Sequence, residues 1–333
     1  MQTLSEPGLV LALIEVVIGI ALLGRAADEF VEGAASVAKT ARVSPVLVGA
    51  VIVGFGTSAP ELLVSGIAAV NGDLDLGVGN IIGSNVANLT LVLGSAALII
   101  PLLVTRAVLV REAPLSLLAV LLFAYLTTGG LERWEGVLLI TALGISIGWL
   151  IIAGVGDARL AHRRNPNPRT RVPKAKDSLR TIVGLIGTII GAQLLVWGAS
   201  AVASEAGLSG GFVGFTLVAV GTSLPELVTA VVCARKGATD LLLGNLLGSN
   251  LFNSLAVGGV IALVGPGTIN DRGLRTVGVI VMVVVAVGAW AFMVTLKRVH
   301  RLEGIVLLVS WVIAVALLAR TATETAMLGW LPF

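Results

Sequence analysis

The chain has 333 residues, of which 56% are apolar and 12% charged, with a formal net charge of +3 and a mean hydropathy of +1.02. A soluble domain carries about 25% charged residues because its surface must be wetted, so this composition excludes a soluble enzyme and an intrinsically disordered chain. It is the composition of a polytopic membrane protein, and the single cysteine, Cys233, permits no internal disulfide.

Runs of about 20 apolar residues are what a helix needs to cross a hydrocarbon core. Ten are predicted, at 8–24, 44–70, 76–100, 113–128, 135–154, 181–203, 210–234, 239–264, 276–296 and 303–322. The alternating segments of a membrane barrel are absent, so the fold class is all-α. The first run follows Met1–Glu6, which lacks the positive region of a signal peptide, and it is expected to stay as a span carrying Glu15 near its outer end. Trp134, Trp197 and Trp330 fall at span ends, where interfacial anchors belong.

Charge bias sets the expected orientation. With the N-terminus outside, the five odd-to-even connections are cytoplasmic and hold 18 of the 22 Lys and Arg residues. They include Arg25, Lys39 and Arg42 after the first span, Arg106 and Arg111 after the third, and Arg235 and Lys236 after the seventh. Both termini are then expected outside, in a cell membrane. The long connection, 155–180, carries eight basic residues and three prolines. It reads first as a topogenic linker joining two halves (1–154 and 181–333), and second as a contact for anionic lipid. It has no interleaved aromatics and offers nothing to nucleic acid.

Residues 48–94 and 213–259 align without a gap at an offset of 165, with 21 identities in 47 positions. Gly56-Thr-Ser-Ala-Pro-Glu-Leu62 matches Gly221-Thr-Ser-Leu-Pro-Glu-Leu227, and Gly79-Asn-Ile-Ile-Gly-Ser-Asn-Val-Ala-Asn88 matches Gly244-Asn-Leu-Leu-Gly-Ser-Asn-Leu-Phe-Asn253. Apolar bias alone would not place Pro, Glu, Asn and Ser in register. A duplicated unit of five spans enters the bilayer upside down the second time, which is the architecture of many secondary transporters.

The repeat puts Glu61 and Glu226 deep in equivalent spans, where an ionisable group costs on the order of 3 kcal/mol. No Lys or Arg lies in the repeated polar blocks, so a bound cation is the expected partner. Thr57 and Ser58 lie four and three residues before Glu61 and can share its helical face. Pro60 and Pro225 cannot donate to the carbonyls of Gly56 and Gly221. Ser84 and Asn88 repeat as Ser249 and Asn253, four residues apart in each case. An oxygen-only set suits hard cations such as Na⁺ and Ca²⁺. Asn80, Asn85, Asn245 and Asn250 read equally well as interhelical glue, and Gly79, Gly83, Gly244 and Gly248 as close-packing positions. Asp75 and Asp240 read as exposed caps, and Cys233 as a small apolar residue.

These paired segments resemble the α-repeats of the calcium/cation antiporter superfamily, in its prokaryotic sodium/calcium exchanger-like branch. The resemblance implies a Ca²⁺ site from Glu61 and Glu226 with oxygens of Thr57 and Thr222. It implies flanking Na⁺ sites from Ser58, Ser223, Ser84 and Ser249 with the carbonyls of Gly54 and Ala219, and a central layer completed by Asn88 and Asn253. Relatives often carry aspartate where this chain has Asn253, so one core carboxylate is missing. The reading is an antiporter of Ca²⁺ and Na⁺ that needs no cofactor, with a Ca²⁺/H⁺ exchanger as the alternative. A membrane hydrolase is disfavoured, because His162 and His300 fall in predicted loops away from any buried serine.

Overall fold

The computed structural model describes residues 6–41, 44–164, 175–205 and 219–328. Helix α1 (Glu6–Ala41) opens the chain. The second span is broken, α2 (Pro45–Thr57) meeting α3 (Ala59–Val70) at 44°. Then come α4 (Leu74–Ile99) and α5 (Val108–Leu126), α6 (Arg133–Arg164) and α7 (Ala175–Glu205). The second half continues with α8 (Ala219–Thr222) and α9 (Leu224–Arg235), α10 (Thr239–Val264) and α11 (Leu274–Thr295), and α12 (Arg301–Leu328). Among the described residues eight helices are long and apolar enough to cross a membrane, and the bent α2–α3 pair makes a ninth. Of the expected seventh span, 210–234, the described part is α8 and α9.

The outside of the molecule is apolar, while polar and charged side chains lie buried inside it. Val17, Ile152 and Val312 are 66%, 71% and 66% exposed, while Glu61 and Glu226 are fully buried. A water-soluble fold would invert this, whereas a lipid-facing shell requires it. The chain is an all-α polytopic membrane protein.

Two expected boundaries change. The first connection, 25–43, is not a loop through most of its length, because α1 runs unbroken to Ala41. Ala27, Phe30, Val31, Ala34 and Ala38 are buried there, a helical stripe that continues past the charges on the opposite face. Likewise Arg111 lies inside the first turn of α5, not in a connection. The linker is entered from both sides by helix, α6 reaching Arg164 and α7 starting at Ala175, and its residues 165–174 lie outside those described.

The duplication is visible in the backbone. Helices α3 and α9, and α4 and α10, begin and end at positions related by the same offset of 165. Each of α4 and α10 widens into a π turn at equivalent places, Asn88–Val92 and Asn253–Val257. The leading helices of the two halves, α1 and α7, pack antiparallel: Gly19 meets Gly191 and Leu195, Phe30 meets Gly184, and Gly33 meets Thr181. Opposed directions of equivalent helices are what an inverted repeat demands.

Each half also braces the other. The loop after α4 pairs as a short antiparallel ribbon, β1 (Leu102–Leu103) against β2 (Arg298–Val299), between α11 and α12. The equivalent loop after α10 pairs through Gly267 with Leu131, between α5 and α6. At another end, Lys236 bonds Glu32 at 2.7 Å and Asp28 at 3.1 Å, and Arg180 pairs with Glu29 and Glu32. Partial burial works against the Lys236 ammonium, but its bonds to Glu32 and Asp28 prevail and raise its pKa. This cluster joins three segments that the charge bias assigns to one face.

The centre is built from α4 and α10, the most buried of the spans. Helix α10 lies against α2 backbone to backbone. A Cβ on Gly244 would stand 2.2 Å from the Val46 carbonyl, and one on Gly248 would stand 2.2 Å from that of Ala50. Gly79, by contrast, meets only the Leu274 side chain at 3.4 Å, an ordinary contact. The close packing expected of these glycines is therefore seen at Gly244 and Gly248 and not at Gly79.

Candidate ion-binding site

Each carboxylate is positioned by a break in its helix. With no N–H at Pro60 or Pro225 the helical ladder cannot run through, and the chain steps sideways at Ser58 (φ −84°, ψ 7°) and Ser223 (φ −88°, ψ 5°). A new helix starts one residue later, and Glu61 and Glu226 fall in its first turn. The unpaired amides and dipole of a helix N-terminus favour negative charge there. A buried carboxylate thus has a local reason to sit where it does.

The breaks cross-connect. Ser58 Oγ donates to Glu226 Oε1 at 3.3 Å, and Ser223 Oγ donates to Glu61 Oε1 at 3.5 Å. Ser249 Oγ lies 3.4 Å from Glu226 Oε1, 3.3 Å from the Gly54 carbonyl and 3.3 Å from Thr57 Oγ1. Thr57 donates to Asn245 Oδ1 at 3.1 Å, and Thr222 to Asn80 Oδ1 at 3.3 Å. Hydroxyl–carboxylate bonds are ordinarily 2.7–2.8 Å long. At 3.3–3.5 Å these oxygens converge without gripping one another, and each glutamate leaves its Oε2 with no hydrogen-bond partner.

Thr57, Ser58, Glu61, Ser84 and Asn88 of the first half are all buried, as are Thr222, Ser223, Glu226, Ser249 and Asn253 of the second. Asn88 Oδ1 and both polar atoms of the Asn253 amide have no hydrogen-bond partner. Gly54 contributes its carbonyl through the Ser249 bond. Ala219 opens α8 four residues before Ser223, as Gly54 stands before Ser58, and its backbone alone is described.

Several residues play other parts than expected. Asn80 and Asn245, read as glue whose side chains need not face the glutamates, accept from the hydroxyls of Thr222 and Thr57 and so hold two residues of the expected ligand set. Asp75 accepts from the backbone N–H of Asn270 and Asp271, tying down the loop before α11 rather than only capping its own helix. Cys233 is buried among apolar residues. Trp134 and Trp197 are exposed at helix ends; Trp330 lies outside the described residues.

Three buried hydroxyls were not anticipated. Ser65 accepts from Asn80 Nδ2 at 3.0 Å, Ser254 accepts from Asn85 Nδ2 at 3.0 Å, and the Thr229 hydroxyl has no partner. Ser65 and Thr229 lie four and three residues after their glutamates, on the same helical face. That spacing is a signal, but a filter for identity between repeats hides them, since their equivalents are Ala230 and Val64.

Chemically the arrangement offers two carboxylates and a shell of neutral oxygens. Among the described residues no cluster of three His, Cys, Asp or Glu side chains exists, and no Lys or Arg appears among the fully buried side chains. Orphaned Oε2 atoms with no cationic side chain suit a small hard cation as cargo.

Known proteins share this plan. The sequence pattern described as "Sodium/calcium exchanger protein" matches residues 11–152 and 178–320. The chain is 38% identical over 311 residues to CaxA of Alkalimonas amylolytica, covering 91% of this chain and 97% of that one. It is 29% identical over 332 residues to the sodium/calcium exchanger MaX1 of Methanosarcina acetivorans, covering 89% and 95%. The sodium-calcium exchanger NCX_Mj, in a structure soaked with 10 mM Na⁺ and 10 mM Sr²⁺, superposes with a TM-score of 0.82 at 30% identity, covering 92% of this chain and 98% of that one. This chain belongs to the sodium/calcium exchanger family, within the calcium/cation antiporter superfamily.

Proposed function

We propose that the protein exchanges Ca²⁺ for Na⁺ across a cell membrane, both termini outside, by alternating access to the site between α3, α4, α9 and α10. The observation that carries this reading is the pair of buried glutamates on pseudo-equivalent helix breaks, each with a free Oε2 and each bonded to the other half's serine. One Ca²⁺ between Glu61 and Glu226 neutralises both, with Thr57, Thr222, Asn88 and Asn253 completing its shell. Na⁺ ions take the flanking oxygens of Ser58, Ser223, Ser84 and Ser249 with the carbonyls of Gly54 and Ala219. A site that uses both halves is complete only while they pack together, so rocking one against the other opens it to one side at a time.

Coupling to Na⁺ rather than H⁺ rests on the number of neutral oxygens. A proton needs one carboxylate oxygen, whereas the flanking hydroxyls of Ser58, Ser223, Ser84 and Ser249 and the carbonyls of Gly54 and Ala219 lie beyond the shell assigned to Ca²⁺ and are neutral oxygens of the kind that Na⁺ uses. In proteoliposomes, Ca²⁺ uptake should follow an outward Na⁺ gradient with the pH gradient collapsed. Uptake that follows only the pH gradient would overturn the assignment in favour of Ca²⁺/H⁺ exchange.

A further inference from the structure

Four of the hydrogen bonds that cross the site form two mirrored pairs. Thr57 to Asn245 is answered by Thr222 to Asn80, and Ser58 to Glu226 by Ser223 to Glu61. Other contacts are unequal: Ser249 Oγ approaches Thr57, Glu226 and the Gly54 carbonyl while the equivalent Ser84 Oγ has no hydrogen-bond partner, and one asparagine pair is unequal although all its members are identical between the halves. Asn88 Nδ2 of the first half donates to Asn250 Oδ1 of the second at 3.0 Å. Its counterpart under the offset of 165 would run from Asn253 Nδ2 to Asn85 Oδ1, and both of those atoms are buried without a hydrogen-bond partner. All four positions are asparagine, so residue type at these positions does not explain the difference. The backbone does not either, since Asn88 and Asn253 each begin an equivalent π turn.

We infer that Asn85 and Asn250 are positioning residues that exchange one amide hydrogen bond between the halves as the transporter changes face: Asn88–Asn250 in the conformation seen here, Asn253–Asn85 in the opposite one. A buried amide without a partner is costly, so each conformation satisfies one asparagine pair and leaves the other exposed to that cost. The mirrored bond is ready to form. Asn85 is held through its Nδ2 by Ser254 at 3.0 Å, which leaves its Oδ1 free to accept, and Asn253 Nδ2 is a free donor. Asn250 in turn donates to the Asn85 carbonyl at 3.3 Å, so the two switching residues lie against one another. The device ties the ligands Asn88 and Asn253 to the global state, presenting them alternately bonded and free. It rests on the alternating-access reading above.

The test reads the balance between states without reference to which ion is carried. Single cysteines at the half-buried, pseudo-equivalent positions Ala59 and Leu224 (Ala59→Cys and Leu224→Cys, in a Cys233→Ala background) are labelled with an impermeant maleimide from each face of sealed vesicles. Asn250→Ala removes the bond present here and should shift the ratio of labelling rates about fivefold toward the opposite state, the factor that one net hydrogen bond carries. Asn85→Ala removes the alternative bond and should shift it about fivefold the other way. The double variant should return to within about twofold of the parent. Asn250→Ser and Asn85→Ser carry the same expectation if an alanine variant fails to insert. Shifts in the same direction, no shift, or a double variant that does not return would overturn the inference while leaving the transporter reading intact. A parent that labels from one face only would overturn alternating access, and this inference with it.

Discussion

At the scale of single residues the central fact is that the charge count of the site is low and shared. Glu61 and Glu226 are the only carboxylates among the buried hydrogen-bonded oxygens described above, and each is bonded to a serine of the other half. Glu61→Gln or Glu226→Gln keeps the shape and replaces a carboxylate oxygen with an amide, which is easier to bury and cannot balance a divalent ion. Each variant should insert and elute as a monodisperse species while Ca²⁺ exchange falls about a hundredfold or more, the factor equivalent to ~3 kcal/mol of lost charge pairing. Exchange at the parent rate in both would remove the glutamates from the site. The glutamates, Thr57, Ser58 and their repeats were legible in the sequence because duplication marks residues that serve one role twice. Ser65, Thr229 and Ser254 were not, because each occurs in one half only, its equivalent being Ala230, Val64 or Leu89. The unequal bonding of four identical asparagines was not legible either, since it is a property of a conformation rather than of residue types.

Helices show the same division between what repeats and what does not. The offset of 165 placed the ends of α3 and α9, and of α4 and α10, because their proline breaks and polar blocks are copied. The continuation of α1 to Ala41 was hidden by Arg25, Asp28, Glu29 and Glu32, which interrupt an apolar run without interrupting a helix. Their charges lie on the face opposite the buried stripe, where Arg25 pairs with Glu29 and the three acids find Arg180 and Lys236. The π turns left no trace in hydrophobic pattern, as one extra residue per turn shifts the apolar stripe too little to read. Among the copied glycines, contact geometry separates equals. Gly248→Ala drives a methyl into the Ala50 carbonyl at 2.2 Å, with backbone on both sides and nothing able to yield. Such overpacking costs about 1–3 kcal/mol and should lower the melting midpoint in detergent by roughly 5 °C. Gly79→Ala, facing only the Leu274 methyls at 3.4 Å, should melt with the parent. Equal midpoints for the two variants would mean that α10 does not rest on α2 at that level.

For the whole molecule, inverted duplication brings the two glutamates and each other's serines together, and in the proposed exchange the residue at 253 bears on how much charge moves. Two midplane carboxylates supply −2, which one Ca²⁺ or two Na⁺ would cancel. A third Na⁺ would leave the core near +1, because Asn88 and Asn253 are both neutral. Two features offset that excess. The glutamates sit at helix N-termini, but the Gly54 carbonyl and the orphaned Oδ1 atoms of Asn88 and Asn253 are negative ends of dipoles aimed into the same space, and such oxygens hold Na⁺ without formal charge. On the proposed reading, with those oxygens engaged, three Na⁺ would exchange for one Ca²⁺ and one net charge would cross per cycle, worth about 2.3 kcal/mol per 100 mV. Proteoliposomes loaded with Na⁺ and clamped with K⁺ and valinomycin should therefore take up Ca²⁺ faster when the interior is held positive and more slowly when it is held negative, since three positive charges leave for every two that enter. Uptake indifferent to potential would show a neutral two-for-one exchange, with Asn253 as its cause. Asn253→Asp then supplies the discriminating arm: an ionised third carboxylate should restore binding of the extra Na⁺ and make uptake respond to the clamp.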